Sequence, residues 1–323
     1  MCALATAVIT FAFASPVHSQ EQSTLGVEQR EEQTSHHNDC VRRTVACVAT
    51  VDERAQTFDD KRLRQRNLGL IVGTVAAVGL YGRQKWWQDG FSGDFKSKSE
   101  HWFGQDTYAG GMDKLGHFFM NYAGTRLLTK AFSAIGNDPS SSLNMAALLT
   151  LGTFTAVEVL DGYSKKWHFS KEDAVMNAAG AAAGVLFERK PELDRLFDVR
   201  IMYKPSSENG GRFEPFGDYS GQTYLLVAKA SGIDSLREHP LLRYLEVAVG
   251  YQARGYSDVA GQVVEVGTRS IVAGISLNVS EVLRQTVFSK SQGRSRVQAG
   301  TDTVLEYIQI PGTAALGRIP LDE

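Results

Sequence analysis

Asp113, His117 and Asn121 recur at intervals of four residues, Glu158 and Asp161 stand three apart, and Asp173 and Asn177 four apart. Placed on helices, each set falls on one face. The surrounding residues are mostly Ala, Leu, Val and Gly, among which an ionisable group is costly to desolvate unless it finds a partner. The sets are therefore expected to answer one another across three helices as one buried polar centre, with Lys114 beside it. Glu158 makes the strongest case. It lies in Ala146–Leu160 among Leu148, Leu149, Leu151, Phe154, Val157 and Val159, so it must be paired, protonated or coordinating. His117 is its most suitable partner, because an imidazole satisfies a carboxylate in either charge state.

Two chemistries suit these residue types. His117, Glu158 and Asp161 supply three N/O ligands for a divalent metal, the number found in many catalytic sites, with Asp173 orienting one of them. Without a metal, Glu158 or His117 is placed as a general base on an envelope lipid or glycan headgroup. The leading reading is structural, a His117–Glu158 pair that fixes helix packing with no cofactor. Asp113 follows Gly110-Gly111 and suits an N-cap. Ser170 and Asp173 read as a capping box, and Asn121 and Asn177 as links between helices. For Lys114, placed with the polar centre, the plainer alternative is a solvated first-turn residue. The sequence contains no HExxH, no phosphate-binding Walker loop and no nucleophile-elbow serine, which removes nucleotide enzymes and the common hydrolases. A net charge of −2 argues against a nucleic-acid partner.

Leu4 to Ala14 is an apolar run of signal-peptide length, and Val17 and Ser19 suit the −3 and −1 positions of a cleavage site. Residues 1–19 are read as a signal peptide, with export to the periplasm or outer membrane of a Gram-negative bacterium. Cys40 and Cys47 would then form a small disulfide loop. Residues 20–64 are a polar, loosely packed leader. Four short apolar helices follow within residues 65–190: Asn67 to Tyr81, Lys114 to Ile135, Leu143 to Leu160 with Gly162 as C-cap, and Lys171 to Glu188. In the last of these, Gly180 and Gly184 allow a neighbouring backbone to approach closely. Each apolar core is shorter than the roughly 20 residues a clean membrane span needs, so the bundle is expected to rest on a membrane or dip into it.

Beyond Pro205 the periodicity changes to that of strands, expected at Gln222–Ala230, Tyr244–Tyr256, Thr268–Val279 and Val304–Ile310. Residues 200–323 are read as an antiparallel β region, giving an α+β protein.

Asp113-Lys114-Leu115-Gly116-His117-Phe118, then Glu158, Asp161-Gly162, Ser170, Asp173, Asn177, Gly180 and Gly184, resemble the YfiM-like family of exported bacterial envelope proteins. The same order is similar to the VanZ-like family of small helical membrane proteins. The resemblance covers roughly residues 65–190 and implies an envelope location without an established activity. Together with the residue reading, it leads to a non-enzymatic cell-envelope protein whose partner is membrane lipid or an outer-membrane protein. The alternatives are a metal-dependent enzyme on envelope lipid or cell-wall precursors, and a scaffold that recruits an envelope protein at its β edge strands.

Overall fold

The computed structural model describes residues 37–256, 267–291 and 295–322, with side chains from residue 59 onward. The expected signal peptide and the first part of the leader lie outside the described residues. The described rest of the leader is helical. It belongs to helix α1 (His37–Lys85), which runs on through the apolar stretch from Asn67. The helical backbone passes through Cys40 and Cys47, whose side chains are outside the description. The expected Cys40–Cys47 pairing thus lies outside the described residues.

An aromatic-rich loop leads to α2 (Met112–Ala134), followed by α3 (Pro139–Tyr163) and α4 (Lys171–Arg189). Asp138 caps α3 by accepting from the Ser141 N–H, and Pro139 occupies its first turn, where a missing N–H does no harm. Helix α4 starts at Ser170, whose hydroxyl accepts from the Asp173 N–H, as the capping pattern predicts. Gly162 does not end α3. The helix continues to Tyr163 with Ser164 as its C-cap, and the Phe95 ring lies 2.2 Å from where a Gly162 Cβ would be.

Helix α2 is the centre of the bundle, packed against both α3 and α4. A Cβ on Gly180 would sit 2.1 Å from the Phe118 carbonyl oxygen, and one on Gly184 would meet Thr125 and the Tyr122 carbonyl at 2.9 and 3.0 Å. The two glycines thus bring the α2 and α4 backbones into contact. At the far end, Leu128, Phe132 and Ala146 gather Leu70 and Ile71 of α1 with Met145 and Leu149 of α3.

Helix α5 (Pro191–Leu196) leads into strand β1 (Phe197–Tyr203), then β2 (Gln222–Lys229), a short helix α6 (Asp234–Arg237) and β3 (Leu245–Arg254). Strand β4 (Thr268–Leu277), helices α7 (Val279–Gln285) and α8 (Arg296–Tyr307), β5 (Ile308–Gln309) and β6 (Ala314–Pro320) complete the described chain. The strand order is β5-β1-β2-β3-β4-β6. The sheet is mixed rather than wholly antiparallel, because β5 runs parallel to β1. Strands β1 and β6 lie outside the expected four, and residues 304–307 of the expected last strand are the end of α8.

This sheet cannot be flat. Six strands at about 4.8 Å spacing would hold the two edge strands about 24 Å apart. Gln309 of β5 and Ala314 of β6 are joined by four residues, a connection that reaches about 18 Å at most. The sheet therefore curls until its edges approach. Its concave side is filled by Leu225, Val227, Ala248 and Val272 with Met202 and Leu316. It also holds a buried ion cluster, in which Arg200 donates to both Glu246 oxygens at 2.8 and 2.9 Å, to Gln309 Oε1 at 3.0 Å and to Asp198. The convex side meets α2 through Tyr224, with Val199, Ile201 and Tyr251 packed nearby around Phe119 and Tyr122.

Candidate functional site

The helix ends dictate where the polar groups meet. Asp113 and His117 lie in the first two turns of α2, Glu158 and Asp161 in the last two of α3, and Asp173 and Asn177 in the first two of α4. Because α2 and α4 start where α3 stops, all six come to one end of the bundle, beneath the aromatic loop.

His117 is the hub. Its Nδ1 lies 3.0 Å from Asn177 Oδ1 and 3.4 Å from Glu158 Oε1. Its Nε2 lies 3.7 Å from Asp113 Oδ1 and 4.0 Å from Asp173 Oδ1. Asn121 donates to Asn177 Oδ1 at 2.6 Å and to the His117 carbonyl at 3.0 Å. Asp113 does not cap α2. The N-cap is Gly111, at φ 85° and with no side-chain bond, which leaves the carboxylate free to turn inward. Nor does the Asp173 carboxylate serve the helix terminus: it is 2.7 Å from Lys114 Nζ. Lys114 is not in solvent but 2% exposed, ion-paired with Glu100, Asp113 and Asp173. Asp161 stands apart from His117 and accepts from Trp87 Nε1 at 2.6 Å.

The electrostatics follow from five carboxylates sharing little solvent. Burial pushes Glu158 up to about 8 against the pull of His117, and Asp161 up to about 7 against its bond from Trp87. Burial followed by the neighbouring Asp113 and Asp173 carries Glu100 up to about 7. Asp173 is likewise raised, by burial and then by Asp113. Asp113 goes the other way. Burial opposes its ionisation, but His117, Lys114 and a hydrogen bond from Tyr108 hold it at about 2. Burial disfavours the imidazolium, yet Asp173, Asp113 and Glu158 together raise His117 to about 9. The centre thus keeps one firmly ionised acid beside an imidazolium, with Glu158, Asp161 and Glu100 poised to exchange protons near neutrality.

Four contributors escape a reading of helix periodicity: Trp87, Glu100, Tyr108 and Tyr219. The first three sit in the loop before α2, and Tyr219, just before β2, reaches Asp113 Oδ1 at 3.2 Å. Glu100 is followed by His101 and Trp102, both with positive φ (56° and 48°), a backbone state that disfavours side chains other than glycine and recurs at functional positions. Trp87 and Glu100 carry a local signal, an aromatic and charged run beside an apolar helix. Nothing local marks Tyr219.

One stretch of the chain is similar to a described family. Residues 99–189 match the DUF2279 family model, described as a predicted periplasmic lipoprotein. The matched span is narrower than the 65–190 of the sequence resemblance, and it contains every group of the polar centre except Trp87 and Tyr219. It agrees with export to the periplasm or outer membrane. No curated protein and no solved structure matches the chain.

Proposed function

We propose that this is a non-enzymatic cell-envelope protein, of the YfiM-like kind, that rests its helical bundle against membrane lipid while the polar centre locks the helices. The observation carrying this reading is a wall of exposed aliphatic side chains on three neighbouring helices. Leu68, Val72, Val75 and Leu80 project from α1, Leu148, Val159 and Leu160 from α3, and Val175 and Leu186 from α4. Leu148 is 73% exposed and Leu80 61%. Residues 67–82, 139–157 and 174–187 contain no Asp, Glu, Lys or Arg. So large an uncharged surface marks a contact with lipid or a partner.

Its borders favour lipid. Lys61, Arg62, Arg64 and Arg66 precede the apolar part of α1, and Arg83 and Lys85 follow it. Tyr81, Trp86, Tyr163 and Trp167 cluster at the end that holds the polar centre, as interfacial aromatics do. The uncharged part of α1 is about 24 Å long, short of the roughly 30 Å hydrocarbon core. Among the described residues, α3 alone is long and apolar enough to cross a bilayer. The wall is thus a face for a membrane surface rather than a set of spans. The strand-addition reading has less support, because the edge strand β5 is two residues long and the other edge, β6, is joined to it by four residues.

Flotation of the full chain with phosphatidylethanolamine/phosphatidylglycerol vesicles tests the proposal. The protein is expected to float, and the combined Val75→Asp, Leu148→Asp and Val175→Asp variant, altered only at exposed positions, to stay at the bottom with an unchanged circular dichroism spectrum. A wild-type chain that extracts without detergent as a monodisperse monomer and ignores vesicles would overturn it.

A further inference from the structure

We propose that Asp113, His117 and Asp173 bind one divalent transition-metal ion, with Glu158 and Asn177 holding the histidine in the tautomer that presents Nε2 to it. This is independent of the membrane reading. It differs from the set expected from spacing: Asp161 is committed to Trp87, and Glu158 faces the opposite nitrogen of the ring.

The orientation of His117 carries the argument. Its Nδ1 faces acceptors, Asn177 Oδ1 and Glu158 Oε1. Asn177 Oδ1 also accepts from Asn121 Nδ2, which fixes it as the oxygen and not the amide nitrogen. Nδ1 must therefore carry a proton, and the lone pair of a neutral ring falls on Nε2. That nitrogen looks at Asp113 Oδ1 and Asp173 Oδ1, again acceptors, at 3.7 and 4.0 Å. These separations are long for hydrogen bonds. They exceed by a few tenths of an ångström the roughly 3.4 Å between tetrahedral ligands that each sit about 2.1 Å from a shared ion, a gap that side-chain rotation closes.

One ligand atom from each of the three side chains lies within 4.8 Å of the other two. A carboxylate behind the distal imidazole nitrogen is the usual support of a metal-bound histidine. A second observation points the same way. Asp173 is 3% exposed, and its Oδ1, aimed at Nε2, accepts no well-directed hydrogen bond, its nearest cation being Lys114 Nζ at 2.7 Å.

Charge balance agrees. Glu100, Asp113, Glu158, Asp161 and Asp173 face two basic side chains, Lys114 and His117, in a nearly dry site. Lys114 sits on Asp113 Oδ2 and Asp173 Oδ1, and Asp113 Oδ1, which also accepts from the Tyr219 hydroxyl, faces the histidine. A nitrogen with two carboxylate oxygens suits zinc or manganese rather than calcium or a soft thiophilic ion.

The experiment is titration of chelator-treated full-length protein with zinc and with manganese chloride, read by calorimetry and by metal content after gel filtration. One equivalent of either metal is expected. Asp113→Asn and Asp173→Asn should each weaken binding at least 100-fold, and Glu158→Gln about 10- to 100-fold. Asp161→Asn should bind as wild type does. Circular dichroism identifies folded variants, and cobalt loading of the wild type should give visible absorption bands lost in Asp173→Asn. Absence of stoichiometric binding by the wild type, or binding unchanged in folded Asp113→Asn and Asp173→Asn, would overturn the assignment.

Discussion

Nδ1 of His117 and Oε1 of Glu158 approach to 3.4 Å across the α2–α3 interface, and among the described residues no other basic side chain pairs with Glu158. Burial already holds Glu158 at about 8, so removing the imidazole leaves a protonated carboxyl without its partner, at a cost of about 1–3 kcal/mol. His117→Ala is therefore expected to be destabilised by that amount in urea unfolding. Glu158→Gln keeps a neutral acceptor toward Nδ1, and should lose about 1 kcal/mol or less. His117→Ala/Glu158→Gln should recover part of the single-variant loss. Additive effects would mean that the two side chains are not coupled.

Gly180 gives a steric prediction. Any side chain there meets the Phe118 carbonyl, and backbone cannot swing aside as a flexible side chain does. Gly180→Ala should cost about 1–3 kcal/mol or more by forcing α2 and α4 apart. Gly184→Ala, whose closest neighbour is the Thr125 side chain, should cost less. Thermal melts of the two variants give the order.

A second buried cluster makes a pH prediction. Arg126 is 2% exposed and ties α2 to α4, α5 and α8 through Glu188 at 2.9 Å, Asp194, and Glu306 at 2.6 Å. Burial opposes ionisation of Glu306, but Arg126 and then Lys130 outweigh it and hold its carboxyl below the ordinary value of 4.5. A depressed folded-state value contributes stability that is present above 4.5 and lost as pH falls through the folded value. Acid unfolding of the wild type should steepen below pH 4.5, and Glu306→Gln should flatten that part of the curve. An identical acid profile in Glu306→Gln would remove Glu306 from the account.

Inside the curled sheet, Arg200 neutralises Asp198 and Glu246 together. Arg200→Met fills similar space but strands two carboxylates, of which Asp198 keeps Lys229 at 2.5 Å and Glu246 keeps only the Ser276 hydroxyl. A loss of about 3–5 kcal/mol is expected. Arg200→Met/Glu246→Leu should be closer to wild type, as measured by chemical denaturation.

What the sequence discloses follows the range of the interactions. The apolar runs of α2, α3 and α4 and the i, i+4 spacing of Asp113 with His117 are local, and they place the helices and the inward faces. Asp113 and Asp173 were open to a capping role because both stand in first turns. Only the fold shows Lys114 drawing their carboxylates inward. Strand β1 carries its alternation in Phe197, Val199 and Ile201, but Asp198 and Arg200 between them read as surface charges until the concave side is known. Val304 to Ile310 alternates like a strand, yet Glu306 lies half-buried against Arg126 at the end of α8. Glu100 and Tyr219 reach the centre through connections that no periodicity announces.

The turn at residues 310–313 makes the sheet a late achievement of folding. Ile308 must find Ile201 more than a hundred positions earlier, and such distant pairings are slow to form. Until β6 docks on β4, Ile275 stands on a strand that lacks one of its two neighbours. That interval is when the emerging chain is most prone to aggregate, and when a holdase or a nearby lipid surface would do the most to shield it.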